Sequence, residues 1–378
     1  MKHQSYLKQL VILSLITILF VVPYLFINGT NIVTHTYAFG SRQFWEGLSP
    51  YTDPRGAGDW FKYSPLFAWF YTPFAKLNSS LQAGCWGLFN IVCFWAGVSV
   101  WFPWKKLESK WLWLGFVLCS MEADGSFRYQ QMNPSLIGLS LLGLYFYKEG
   151  RLHQAGFWLT LVSNIKILPG LFLAGLLLPP KKKYIQGIVA GAFVCLIVPM
   201  IFWGFSKTVS FHEDWYLLLR RDTNTDGLLD VATVLKTLGF KDTKLWALYP
   251  LSVLSIFLFV VFWLKKKTFE WNLWIPLGLY TLLLVNPRTE SPTFVLGGPG
   301  YLFLQRYALG LTGPLKYATF VFWSLGIFFT TLCMNDIWPK VIWNPSSWLQ
   351  MNKTFGIFIL WVLSVVLVTR QMISKKTT

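Results

Sequence analysis

The sequence predicts an all-α polytopic membrane protein of about twelve spans, built as a single membrane domain over residues 1–378. Composition is the first observation behind this. Hydrophobic residues make up 54% of the chain, aromatics 19% and charged residues only 13%, whereas a soluble domain carries about 25% charged residues. The second is a series of apolar runs, among them Leu10–Ile27, Ile185–Phe205 and Leu248–Leu264, close to the roughly 20 residues a helix needs to cross a bilayer. They do not alternate as the strands of a barrel would. The third is charge. Basic clusters recur at alternate gaps between the runs, at Lys105/Lys106/Lys110, Lys148/Arg151, Lys181–Lys183, Lys265–Lys267, Arg306/Lys316 and Arg370/Lys375/Lys376. With Lys2 and Lys8, that side takes 18 of the 33 basic residues but 3 of the 16 acidic ones. This is the positive-inside bias, and it puts both termini in the cytoplasm and the large loops outside.

In chain order the spans read as 9–27, 82–102, 111–121, 134–147, 155–165, 168–179, 185–205, 248–264, 271–286, 293–307, 316–333 and 354–371. The first follows a short, mildly basic N-terminus with no small-residue cleavage site, so it reads as an uncleaved span. Two outward segments are long: 28–81, with interfacial helices, and 206–247. Four spans are short. Trp111–Met121 would rise about 16 Å, half of a ~30 Å hydrocarbon core, before the polar stretch Glu122–Asn133. The second short pair meets at Asn164-Ile-Lys166, with Pro169 beyond. One kinked helix over 155–179 would explain the same residues but would invert every later loop against the charge bias. Two half-deep hairpins keep the bias. Irregular polar backbone at membrane depth must be buried in protein or line water, so an outward-opening polar cavity is expected.

The net charge of +17 does not indicate nucleic acid, because its clusters follow the membrane topology. The cysteines Cys85, Cys93, Cys119, Cys195 and Cys333 lie in apolar stretches without paired spacing, so neither a disulfide framework nor a zinc site is expected. His153 and His212 have no second ligand at metal spacing. No Asp-x-Asp pair stands in an outer loop, and no glycine loop suits a phosphate cradle. No metal and no cofactor are expected.

The first outward loop carries Tyr37-Ala-Phe-Gly-Ser-Arg42, Glu46-Gly-Leu-Ser-Pro50-Tyr51 and Phe61-Lys62-Tyr63-Ser-Pro65-Leu-Phe67. Rings with cations suit a sugar stacked beside an anionic group. An interfacial belt of aromatics with snorkelling cations explains the same composition. Gln131 and Asn133 offer amides that read sugar hydroxyls, or caps for the helix that begins at Pro134. Lys166 stands in a run otherwise apolar from Leu159 to Leu178. A mid-membrane Lys costs about 2.5–3.5 kcal/mol on insertion scales, so it needs a partner or a role. Arg288 and Glu290, in Asn286-Pro-Arg-Thr-Glu-Ser-Pro292, reach the outer rim and suit either a substrate or each other.

The order of these motifs resembles glycosyltransferase family 87 over roughly residues 30–300. The motifs are Tyr37…Arg42…Gly47-x-x-Pro50-Tyr51, Lys62-Tyr-Ser-Pro-Leu-Phe67, Gln130-Gln-Met-Asn133, Asn164-Ile-Lys166-x-x-Pro169 and Arg288-Thr-Glu-Ser-Pro292. The resemblance implies a bundle of the glycosyltransferase C-type membrane fold in the bacterial cytoplasmic (inner) membrane. Such enzymes move mannose from a polyprenyl-phosphate donor to an extracytoplasmic lipid or glycan acceptor, with inversion. A first-loop carboxylate would take the acceptor's proton, and cations would steady the departing phosphate. The family's catalytic Asp lies four residues before the loop Tyr, which is Val33 here.

The expected function is therefore a membrane hexosyltransferase using a polyprenyl-phosphate sugar. Arg42, Lys62 and Tyr63 would meet donor or acceptor, Gln131 and Asn133 would read hydroxyls, and Lys166 or Arg288 would bind phosphate, with Glu290 at the rim. His35, Asp124 and Glu122 are the candidate bases, in that order. A non-catalytic relative that binds the lipid carrier is the alternative, and a lipid-linked sugar transporter is a third reading disfavoured by the lack of an internal repeat.

Overall fold

The computed structural model describes residues 2–53, 59–103, 110–166, 181–221, 231–237, 239–241, 249–264, 270–286, 289–333 and 352–373. Among them it forms fourteen α-helices and no strand. These are α1 (Lys2–Asn28), α2 (Ile32–Trp45), α3 (Pro65–Ala75), α4 (Ser79–Trp101), α5 (Leu112–Arg128), α6 (Asn133–Lys148) and α7 (Leu152–Ile165). Then come α8 (Lys182–Arg221), α9 (Val231–Thr237), α10 (Tyr249–Leu264), α11 (Trp271–Val285), α12 (Gly298–Leu309), α13 (Gly313–Ile327) and α14 (Asn352–Ile373). A 3₁₀ helix, Ser291–Leu296, precedes α12, and a π turn, Phe328–Leu332, extends α13.

A helix stands at each expected span that the described residues cover; the segment 168–179 lies outside them. Five are long and apolar enough to cross a membrane: Leu7–Asn28, Ser79–Trp101, Lys182–Arg221, Gly313–Leu332 and Asn352–Ile373. Their large apolar side chains are widely exposed, with Ile27 at 82%, Phe20 at 72% and Ile201 at 72%. Contiguous apolar surface of that kind belongs against lipid, not water.

Two segments differ from the sequence reading. The polar stretch 122–133 is helical up to Arg128, leaving only 129–132 as the turn. The Glu122 carboxylate is buried there with protein partners in place of water. Likewise the outward segment 206–247 is helical up to Arg221. Gly204 interrupts α8 with a left-handed φ of 71°, a conformation that glycine adopts freely. Beyond it Phe211, Trp215 and Leu218 are buried while Glu213, Tyr216 and Arg220 are exposed, the one-sided stripe of an amphipathic helix.

The described residues group into two compact units. The first draws on 1–106, 126–174 and 180–224, the second on 107–125, 175–179 and 225–378. In the first, α4 and α6 meet backbone to backbone. A Cβ on Gly138 would lie 2.1 Å from the Cys93 carbonyl oxygen, and one on Gly97 would lie 2.1 Å from that of Gly138. Small residues permit such approach between membrane helices. Near by, Ser135 Oγ donates to Asn90 Oδ1 and Trp101 Nε1 donates to the Leu141 carbonyl at 2.9 Å. In the second unit α11 packs on α14, where Trp361 Nε1 donates to Thr281 Oγ1 at 2.9 Å.

Candidate active site

Within the first unit, α2 and α3 stand over the turn that joins α5 to α6. Asn31 starts α2: its side chain accepts from the Val33 and Thr34 amides, while Thr34 Oγ1 accepts from the Asn31 amide at 3.0 Å. This is a reciprocal cap. Ser64 caps α3 by accepting from the Phe67 amide at 3.2 Å, with Pro65 in the first helical position, where its missing N–H costs nothing. The two helices share an aromatic core of Tyr37, Phe44, Phe61, Phe67, Tyr71 and Trp86.

The turn beneath them is held under strain. Gln130 has φ 56°, the left-handed region that costs a non-glycine residue about 1–3 kcal/mol. Its amide explains the choice of residue. Gln130 Oε1 accepts from Thr34 Oγ1 at 2.8 Å and its Nε2 donates to the Gly29 carbonyl at 2.7 Å. Trp86 Nε1 binds the Gln130 carbonyl at 2.8 Å. Glycine would remove the strain and both side-chain bonds, to Thr34 of α2 and to Gly29 ahead of it. The next amide, Met132 N–H, donates to Tyr37 Oη at 3.2 Å, and Tyr37 and Tyr63 share a hydrogen bond of 2.9 Å. Burial, and then Tyr63 beside it, push the Tyr37 phenol well above its ordinary range, so it stays a neutral hydroxyl.

Four residues singled out in the sequence meet around this turn. Lys166 ends α7 and its Nζ donates to Asn133 Oδ1 at 3.2 Å. Asn133 Nδ2 donates in turn to Gln131 Oε1. Tyr63 joins through Tyr37 and Met132. Asn133 is fully buried, Gln131 9% exposed and Lys166 half-buried. A cation and two amides therefore lie along one hydrogen-bonded line, and a pair of phenols is bonded to the backbone amide of Met132, between the two amide residues.

The other named residues stand elsewhere. Lys62 pairs with Asp59 at 3.1 Å, and its carbonyl accepts from Trp215 Nε1 at 3.0 Å. Arg42 is exposed near the end of α2. His35 is exposed too and shares a 3.2 Å hydrogen bond with Thr30 Oγ1. A helix turns about 100° per residue, which puts His35 and Arg42 on the face of α2 opposite Val33. In the second unit, Glu122 is buried, with its carboxylate 2.7 Å from Lys353 Nζ and 2.8 Å from Thr331 Oγ1. Tyr301 Oη donates to it at 3.3 Å. Asp124 is half-buried one turn from the end of α5, and Glu290 is exposed as the cap of the 3₁₀ helix. Arg288 lies outside the described residues.

The sequence reading missed Lys353 as the partner of Glu122 and Thr34 as the partner of Gln130. Separations of 231 and 96 residues leave no local signal. Among the described residues no group of three or more His, Cys, Asp or Glu is placed to hold a metal ion.

The family model for glycosyltransferase family 87 matches residues 60–287, more than half of the chain. The chain belongs to glycosyltransferase family 87. No curated protein and no solved structure matches it. Membership in family 87 makes it a membrane glycosyltransferase, with a sugar donor and an acceptor. The matched stretch includes Lys62, Tyr63, Glu122, Asp124, Gln131, Asn133 and Lys166, whereas Val33, His35, Arg42, Arg288 and Glu290 fall outside it.

Proposed function

We propose that this protein moves a mannose-like sugar from a polyprenyl-phosphate donor to a lipid or glycan acceptor on the outer face of the cytoplasmic membrane, inverting the anomeric centre. The observation that carries this reading is the line from Lys166 through Asn133 to Gln131, with Tyr37 and Tyr63 bonded to the Met132 amide between the two amide residues. Its cation suits a phosphate monoanion or dianion, and its amides and phenols suit sugar hydroxyls. Lys166 would hold the donor phosphate and take up charge as the bond to the anomeric carbon breaks. Gln131 and Asn133 would fix the ring, and Tyr63 would border it. Arg42, exposed near the end of α2, would attract the anionic donor. An apolar groove of about 600 Å³, lined by Trp45, Trp69, Phe70, Phe74 and Phe89, suits the isoprenoid chain.

In this reading the chain forms a glycosyltransferase C-type bundle of about twelve spans around an outward-opening cavity, with both termini cytoplasmic. Single cysteines placed at 50–58 or 222–230 in a cysteine-free background should label from outside intact cells. Those at 181–183 or 265–267 should label only after permeabilisation. External labelling of 181–183 would make 155–179 one ordinary span and overturn this topology.

The purified full chain, given radiolabelled polyprenyl-phosphate mannose and a membrane lipid extract, should release polyprenyl phosphate and label the lipid fraction. Val33 favours a second reading, a non-catalytic relative that binds the lipid carrier, because valine accepts no proton. No transfer by the wild type, with transfer gained in Val33→Asp, would establish that second reading in place of the first.

A further inference from the structure

An acceptor hydroxyl is a poor nucleophile until a base takes its proton, and Val33 provides none. We propose that Asp59 is the catalytic base; this rests on the transferase reading above. The first loop doubles back on α2, and the Asp59 amide donates to Thr36 Oγ1 at 3.0 Å. Thr36 is three residues after Val33, on the same face of the helix. That face, Val33, Thr36, Tyr37 and Gly40, is the inner one, with the last three buried. A carboxylate absent at Val33 is thus supplied from another stretch of chain to the same side of α2.

The side chain is presented rather than buried. Asp59 is 56% exposed, its Oδ1 accepts from the Trp60 amide at 2.7 Å, and Lys62 Nζ stands 3.1 Å from its Oδ2. A solvent-facing carboxylate oxygen is open to an incoming acceptor hydroxyl, as a general base must be. Four residues on, Tyr63 bonds Tyr37, whose hydroxyl accepts from the Met132 amide in the turn that carries Gln131 and Asn133. The stretch 59–63 is also fixed from behind: Trp215 Nε1 binds the Lys62 carbonyl, and Tyr51 Oη donates to the Tyr63 carbonyl at 2.9 Å.

Other carboxylates of this unit are placed differently. Glu46 lies thirteen residues along α2 from Val33, on the order of 20 Å away. Asp214 accepts from Ser49 Oγ at 2.7 Å, behind the loop beside Trp215. In the step itself, the acceptor O–H proton passes to an Asp59 oxygen while the acceptor oxygen forms a bond to the anomeric carbon. The bond from that carbon to the phosphate oxygen breaks, its electron pair leaves with the polyprenyl phosphate, and Asp59 later gives the proton to water.

The test uses the full chain in nanodiscs, radiolabelled polyprenyl-phosphate mannose and the lipid extract. Asp59→Asn should lower kcat by about 10²–10⁴-fold while polyprenyl phosphate binds as in the wild type. Asp59→Glu, which keeps a carboxylate, should retain measurable transfer, and Asp59→Asn combined with Val33→Asp should regain it. Lys62→Met, which removes the ion pair and leaves the base, should lose less than Asp59→Asn. Transfer by Asp59→Asn within threefold of the wild type would overturn the proposal and leave the transferase reading standing. Equal losses in Asp59→Asn and Lys62→Met would assign the effect to loop structure and overturn it as well. A wild type that binds the donor but transfers nothing would fell the transferase reading, and the base with it.

Discussion

Lys353→Met should unfold or severely destabilise this protein. Glu122 is buried on α5 with a carboxylate fully withdrawn from solvent, and Lys353 Nζ lies 2.7 Å away with 12% of its side chain exposed. Thr331 Oγ1 and Tyr301 Oη donate to the other oxygen. Removing the cation leaves a buried carboxylate with two neutral donors, a loss of about 3–5 kcal/mol in comparable buried pairs. That is a large share of the roughly 5–15 kcal/mol by which proteins are stable. The expected result is a lowered thermal midpoint in detergent and loss of the folded peak on size exclusion. Glu122→Gln combined with Lys353→Met removes both charges and should recover most of the loss, since the pair itself contributes little beyond its own desolvation cost. An unchanged midpoint for Lys353→Met would refute the assignment. The double variant also separates stability from chemistry. Recovered folding with transfer intact leaves Glu122 a structural anchor. Recovered folding without transfer would give the Glu122–Lys353 pair a part in activity beyond anchoring the fold.

What the sequence disclosed follows from how local each signal is. Apolar length and the alternation of basic clusters are local, so α1, α4, the first half of α8 and α14 stand where hydropathy places them. The motif order is local too, and the family follows from it. Helix ends in polar sequence were not legible. The run Glu122-Ala-Asp-Gly-Ser-Phe-Arg128 reads as a tip by composition, yet it is helical, and its Glu122 carboxylate is partnered by Lys353 from 231 residues away. The outer half of α8 has a clear amphipathic stripe that the search for spans passed over, since a stripe with Glu213, Asp214, Arg220 and Arg221 is too charged to cross lipid. His35 shows a different limit. Two residues from Val33 is close in sequence, but on a helix it is nearly the opposite face. Asp59, 26 residues away, reaches the near face because a loop brings it there.

Lys166→Met is the substitution with the largest expected effect on donor binding. Lys166 follows the last residue of α7 with an extended backbone (φ −140°, ψ 110°), and its amide donates to the Val162 carbonyl at 3.2 Å. Neither feature depends on the ammonium group, and methionine has similar length and suits an apolar setting. Folding should therefore survive, with a thermal midpoint close to that of the wild type. Binding should not. A charge-assisted hydrogen bond to phosphate contributes about 1.5–3 kcal/mol, which converts to roughly a 10–150-fold rise in Kd for polyprenyl phosphate. Lys166→Arg keeps the charge but replaces a compact ammonium with a wide planar fork, so it should fall between the two. Asn133→Ala, which removes the acceptor holding Lys166 in place, should weaken binding less than loss of the cation itself. Titration of the purified chain in nanodiscs with polyprenyl phosphate, beside prenol lacking the phosphate, reads the effect directly. The wild type should prefer the phosphate, and Lys166→Met should lose most of that preference while still taking up prenol. Equal affinity of wild type and Lys166→Met for the phosphate would return Lys166 to a packing role, with Asn133 as its partner and no part in holding the donor.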